Sequence, residues 1–112
     1  MNITPQHVAA SYEMLRHFKP FDRWKLPESD AVGFHVKAIR DYGLYWFDNG
    51  HNITVSSLLV DSPLSILDII GHEMIHMRQQ LRGEKWTHNA EFRRLAGQVC
   101  KEFQWDVKRF IG

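Results

Sequence analysis

Apolar residues recur along the chain in two rhythms, and the switches between them divide it into elements. Val8, Tyr12 and Leu15, with Phe18 at the margin, stand at helical spacing after Thr4-Pro5. A threonine there can cap orphan N–H groups, and a proline at the first helical position forfeits no hydrogen bond. This helix should stop before Pro20, because the residue ahead of a proline is kept out of the helical region. Residues 19–30, KPFDRWKLPESD, hold two prolines and no steady period, and read as a loop pinned by Phe21, Trp24 and Leu26. The period then becomes two. Val32, Phe34, Val36 and Ala38 alternate with Gly33, His35 and Lys37, as in a strand with one buried face. Leu44 to Phe47 form a dense aromatic strand, Asn49-Gly50 is a strong hairpin signal, and Ile53 with Val55 alternates on the way back. The pattern predicts a small, mainly antiparallel sheet of about three strands, with register and a parallel member left open.

Helical rhythm returns after Asp61-Ser62-Pro63, where Asp61 or Ser62 is placed to cap. Leu64, Leu67, Ile70, Met74, Met77 and Leu81 make an apolar stripe, widened by Ile66, Ile69 and Ile75, so the helix should be buried on most sides at its start. Gly83 should end it. After the polar link GEKWTHN, the residues Phe92, Leu95, Ala96, Val99, Phe103, Val107 and Phe110 predict one long amphipathic helix over 89–110 that closes the core. The expected fold class is α+β, one domain spanning residues 1–112.

Composition narrows the function classes. With 44% hydrophobic and 24% charged residues the chain has the make-up of a globular protein, which argues against disorder or a coiled coil. Cys100 is the only cysteine, so an internal disulfide and every Cys-rich zinc site are excluded; in its apolar helical pattern it reads as a small core residue. No stretch resembles a signal peptide or a membrane span, and the expected setting is cytoplasmic, without membrane contact. The net charge of +1 gives no general pull toward nucleic acid, but it is unevenly spread: residues 1–77 hold 6 basic and 9 acidic side chains, residues 78–112 hold 8 and 4.

The chemistry concentrates in GHEMIHMRQQLRGEKWTHNAEF, residues 71–92. His72 and His76, four apart on a helix, lie about 40° apart around the axis and one turn along it, so two imidazoles can reach one metal ion. Glu73 lies on the adjoining flank, where a carboxylate beside a metal site can take a proton from water. Polar groups this deep in an apolar helix are costly unless paired or metal-bound. His88 follows after a chain break and can fold back as a third ligand, leaving one tetrahedral position open for catalysis. Glu91 competes with His88 for that role, since both share a face if residues 88 onward are helical; with His88 as ligand, Glu91 becomes the acceptor of an imidazole N–H. Trp86, between two of the ligands, is placed either to wall a pocket or to support the core. Tyr42 and Tyr45 read as packing rather than catalysis, and His7, His17, His35 and His51 as solvent-facing or local hydrogen-bond partners.

HEMIH followed by His88-Asn89-Ala90-Glu91-Phe92 resembles the core of the SprT-like zinc metallopeptidases. Carried onto this sequence, the resemblance implies a compact, zincin-like α+β domain covering most of residues 5–105. It implies Zn²⁺ held by His72, His76 and His88, and Glu73 as general base. Glu91-Phe92 match the acidic-aromatic pair after the third ligand. Many members have glycine where this chain has Asn89, and many add a Cys-rich zinc ribbon or a DNA-binding tail, which this sequence lacks. Compact versions are similar to proteins carried by phages and prophages.

Two functions therefore stand: a zinc-dependent endopeptidase acting on a protein or peptide, and a non-catalytic metal-binding protein that holds a protein or nucleic-acid partner. Glu73 favours the first. The basic C-terminal third, with Arg78, Arg82, Lys85, Arg93 and Arg94, gives an electrostatic footprint without any recognised base-reading element. Titration against several duplexes and a single strand should show weak, non-specific binding that fades from low to physiological salt. Tight, salt-resistant binding to one sequence is the opposite result.

Overall fold

The computed structural model describes residues 2–60 and 63–112. Helix α1 (Pro5–Arg16) is opened by the expected Thr4 cap, whose hydroxyl accepts from the His7 N–H while the His7 ring accepts from the Thr4 N–H. Val8, Tyr12 and Leu15 are buried. Phe18 lies beyond the helix and is half-exposed. The following loop contains two short 3₁₀ turns and is anchored as predicted by the buried Phe21, Trp24 and Leu26. Tyr12 ties it to α1 by donating to the Pro27 carbonyl at 2.6 Å.

Strands β1 (Val32–Lys37), β2 (Gly43–Phe47) and β3 (His51–Ser56) form a sheet in the order β1-β3-β2. The Asn49-Gly50 hairpin joins β2 to β3 as expected, with Tyr45 opposite Ile53. The other pairing corrects the sequence reading: β1 runs parallel to β3, Phe34 opposite Ile53, so the sheet is mixed and not mainly antiparallel. The buried side chains Ile53 and Val55 make β3 the central strand, which is why it accepts a neighbour on each side. Ala38 falls outside β1.

Helix α2 (Pro63–Leu81) packs on α1 and on the sheet, contributing Ile66, Ile70, Met74, Ile75 and Met77 to the core. Its proposed Asp61 or Ser62 cap lies outside the described residues, as does the side chain of Leu64. It ends where Gly83 takes a left-handed φ of +69°. There the Gly83 N–H donates to the Gln80 carbonyl and the Glu84 N–H to the Gln79 carbonyl, a Schellman turn that sends residues 84–89 back beside α2.

The long last helix is a second correction. Helix α3 (Ala90–Phe103) stops at Gln104, which is left-handed at φ 58°, and a separate turn α4 (Val107–Ile111) follows. The apolar spacing of Phe103, Val107 and Phe110 continues through this break, so periodicity alone describes one helix. Turning at Gln104 lets Phe110, 4% exposed, return to the core beside α2 instead of running on past it. Among the described residues, no helix is long and apolar enough to cross a membrane.

Gly43 in β2 lies close against α2: a Cβ there would lie 2.6 Å from Ile69 Cγ2 and 3.2 Å from Glu73 Oε2. Ile69 is β-branched on a helix and yields little. Gly43→Ala should therefore lower stability by about 1–3 kcal/mol, as overpacking does, measured by urea denaturation.

Candidate metal centre

Helical spacing on α2 sets His72 and His76 one above the other, with ring centroids 5.0 Å apart. The Schellman turn and the returning link bring His88 to the same point. One ligand atom from each of the three histidines lies within 4.8 Å of the other two, and His72 Nε2 and His88 Nε2 are 3.1 Å apart. All three rings rest on Phe92, at centroid distances of 5.0, 4.9 and 4.5 Å. Phe92 is fully buried, so the aromatic after the third histidine is the floor on which the imidazoles sit.

The hydrogen bonds fix two tautomers. His72 Nδ1 is 2.8 Å from the Phe110 carbonyl oxygen, which can only accept, so Nδ1 carries the proton and Nε2 offers a lone pair. His76 Nδ1 is 2.8 Å from Gln79 Oε1, while Gln79 Nε2 donates to the Thr87 carbonyl at 2.9 Å. The amide is thereby oriented, and His76 Nδ1 must also be the protonated nitrogen. Burial favours the neutral rings: it lowers His72 to about 4 and lowers His76 as well. Two neutral imidazoles of known tautomer and a third whose Nε2 is 3.1 Å from that of His72, all within 4.8 Å, fit a divalent cation of the zinc type, whose tetrahedral donors stand about 3.4 Å apart. Hydrogen-bonded Nδ1–H groups behind the ligating nitrogens are the usual support of such ligands.

Glu73 is 6% exposed and borders the same cleft. Burial raises its carboxyl to about 8, with the Asp41 charge adding to the rise; the Tyr45 N–H, which donates to the carboxylate, works against it. The cleft is open and about 810 Å³ in volume, with β2 along one side, Trp86 and His88 on another, and α4 closing an end. Trp86 walls it, edge-on to Tyr45 at 4.9 Å, its indole N–H donating to Gln80. Tyr45 is buried, its hydroxyl 2.6 Å from His51 Nδ1, and Tyr42 is exposed at the rim.

Glu91 corrects the sequence reading. It pairs with Arg94 at 2.6 Å on the exposed face of α3, which holds its carboxyl below the usual range, and it accepts from no imidazole. The cause is the cap. Asn89 is the N-cap of α3, its side chain accepting from the Phe92 N–H, so His88 precedes the helix and shares no face with Glu91. Asn89 has φ −75°, a conformation that asks for no glycine. The positions expected of Glu91 are filled instead by Gln79 and the Phe110 carbonyl. Gln79 had a signal, a polar side chain one turn after His76 in a mostly apolar helix; a backbone carbonyl has none. Of the basic side chains, only Arg109 among the described residues lines the cleft, paired with Asp68 at 3.2 Å; Arg93 instead holds the His88 carbonyl. Cys100 is buried and its thiol raised to about 11. His7, His35 and His51 have the local partners expected of them, and His17 lies exposed near Glu13.

A mixed sheet packed on a helix bearing His-Glu-x-x-His, with a third histidine delivered from downstream, is a zincin-like fold with the metal-binding triad of the zinc metallopeptidases generally. Comparison with protein families, curated proteins and solved structures finds no match to this chain.

His88→Ala should cut zinc affinity by more than about 100-fold, beyond what an outer hydrogen-bond partner contributes, whereas Glu91→Ala should leave it unchanged. Competition with a chromogenic chelator measures both. The reverse ranking would move the third ligand to Glu91.

Proposed function

We propose that this chain is a zinc-dependent endopeptidase of the SprT-like kind, a single domain over residues 1–112, with His72, His76 and His88 holding Zn²⁺ and Glu73 acting as general base. The observation that carries the reading is the convergence of three imidazoles next to a buried carboxylate at the floor of an open cleft. The zinc supplies Lewis acidity, polarising the scissile carbonyl and acidifying water.

The protein's own groups account for the rest. Glu73 takes a proton from the attacking water as its oxygen bonds to the carbonyl carbon, and delivers a proton to the amine nitrogen as the C–N bond breaks. Water and peptide thus become a carboxylic acid and an amine with no other reactant. The Tyr45 N–H favours the ionised form of Glu73 but only partly offsets the effect of burial, and a cation held by the three imidazoles would act in the same direction and bring the carboxylate into its accepting form. β2 is an edge strand along the cleft, and its outer edge, apart from the Tyr45 N–H engaged by Glu73, suits an extended peptide added as a further strand. The aromatic wall of Trp86 and Tyr45 limits water on the facing side. The lone, buried Cys100 thiol suits a cytoplasmic setting.

A metal-binding protein without turnover is the competing function, and one substitution separates the two. Glu73→Gln preserves size and loses the basic oxygen, so it should keep zinc while hydrolysis of an unfolded protein substrate falls by about 10²–10⁴-fold. Metal content and turnover are read on the same preparation. Equal turnover in both proteins, with contaminating proteases excluded, would remove Glu73 as the base, and an absence of turnover in the native chain would favour the binding protein.

A further inference from the structure

Gln79 is 1% exposed, yet neither the ligand set nor the base uses it. Its side chain joins two elements that must meet for the site to exist. The Oε1 accepts from His76 Nδ1–H at 2.8 Å, and the Nε2 donates at 2.9 Å to the carbonyl of Thr87, the residue before His88. Its backbone helps to join them as well, since the Gln79 carbonyl accepts the Glu84 N–H at 2.8 Å in the turn that reverses the chain after α2. A primary amide is the side chain that suits this place, having one acceptor for an imidazole N–H and a donor for a carbonyl. An apolar residue of equal size would leave the buried His76 N–H without a partner, a costly loss, and would release the Thr87 carbonyl on the more exposed link.

We propose that Gln79 is the positioning residue of the metal centre, setting the tautomer and ring orientation of His76 and, through Thr87, the approach of His88. The reading rests on the metal site assigned above. Its content is separate: one amide couples the second ligand on α2 to the third ligand on the returning link, so that neither is placed independently of the other. Link residues 84–89 have few other ties to α2. Trp86 donates to Gln80 at 3.0 Å and His88 Nε2 meets His72 Nε2 at 3.1 Å, while the Thr87 N–H is turned back on the Lys85 carbonyl.

Two substitutions split the two halves of the coupling. Gln79→Met keeps the volume and removes acceptor and donor together. Gln79→Glu keeps an acceptor for His76 and replaces the donor to Thr87 with an oxygen that repels its carbonyl. Zinc affinity by chelator competition should fall about 10–100-fold in Gln79→Met, the range for outer partners of metal ligands, and by less in Gln79→Glu. Two measurements on the zinc-free proteins need no activity. Ring ¹⁵N shifts should place the His76 proton on Nδ1 in the native chain and in Gln79→Glu, and distribute it over both nitrogens in Gln79→Met. Amide hydrogen exchange over residues 84–89 should quicken in both variants. Zinc bound as tightly by Gln79→Met as by the native chain overturns the proposal, as does exchange in Gln79→Glu at the native rate. If Gln79→Met fails to fold, the native tautomer and the Gln79→Glu exchange decide it, and a native His76 protonated on Nε2 overturns it. A native chain that binds no zinc refutes the metal centre itself, which is a different outcome from a metal centre indifferent to Gln79.

Discussion

An imidazole that offers one nitrogen to a metal must place the proton of its other nitrogen somewhere, and inside an apolar core that requirement constrains the whole neighbourhood. In this chain, His72 satisfies it with a carbonyl 38 residues away and His76 with an amide one turn away. The first bond depends on α4 packing back against α2, hence on the left-handed turn at Gln104. The second depends on the Schellman turn at Gly83, which returns the link carrying Thr87 and His88. The two ends of α2's neighbourhood are thus organised by the same chemical demand, and Phe92 supplies the apolar surface on which all three rings are set.

Elements with a local cause were legible in the sequence. The Thr4-Pro5 start, the Asn49-Gly50 hairpin and the Gly83 stop each have a residue whose backbone preference forces the feature, and each stands where it was expected. The direction of β1 was not legible, because a period of two describes which side chains are buried and is indifferent to whether the neighbouring strand runs parallel. The division of the last helix was hidden for a related reason. A glutamine in the left-handed region carries none of the signal that glycine would, and the apolar rhythm happens to span the break.

The candidate site shows the same partition. Side chains that converge by helical spacing, His72 and His76 with Glu73 on the adjoining flank, were readable from four-residue arithmetic alone. His88 and Glu91 were not separable by that arithmetic, and the structure separates them by a capping event: Asn89 closes the start of α3, leaving His88 outside the helix and Glu91 one helical turn before Arg94. A resolved cap would have settled the choice from sequence, since Asn followed three positions later by an apolar residue is a legitimate helix start. The outer partners divide likewise, Gln79 being a side chain with a visible spacing and the Phe110 carbonyl being backbone that only the tertiary fold can place.

Burial acts on the cluster in opposite directions, and the difference explains how an otherwise apolar helix tolerates it. Low polarity lowers the imidazoles and raises the carboxyl, so His72, at about 4, and Glu73, at about 8, are both uncharged forms near neutrality when nothing else is bound. His72, Glu73 and His76 then enter the interior without an isolated charge, and the imidazole N–H groups facing Phe110 and Gln79 are already satisfied. On the side facing the common point, His72 Nε2, whose ring carries its proton on Nδ1, accepts from His88 Nε2 at 3.1 Å, and a bound cation would take the place of that proton. The ring orientations are held from behind, by Phe110, Gln79 and Phe92, so the metal-facing nitrogens stay aimed at a common point whether or not a cation is there to bind.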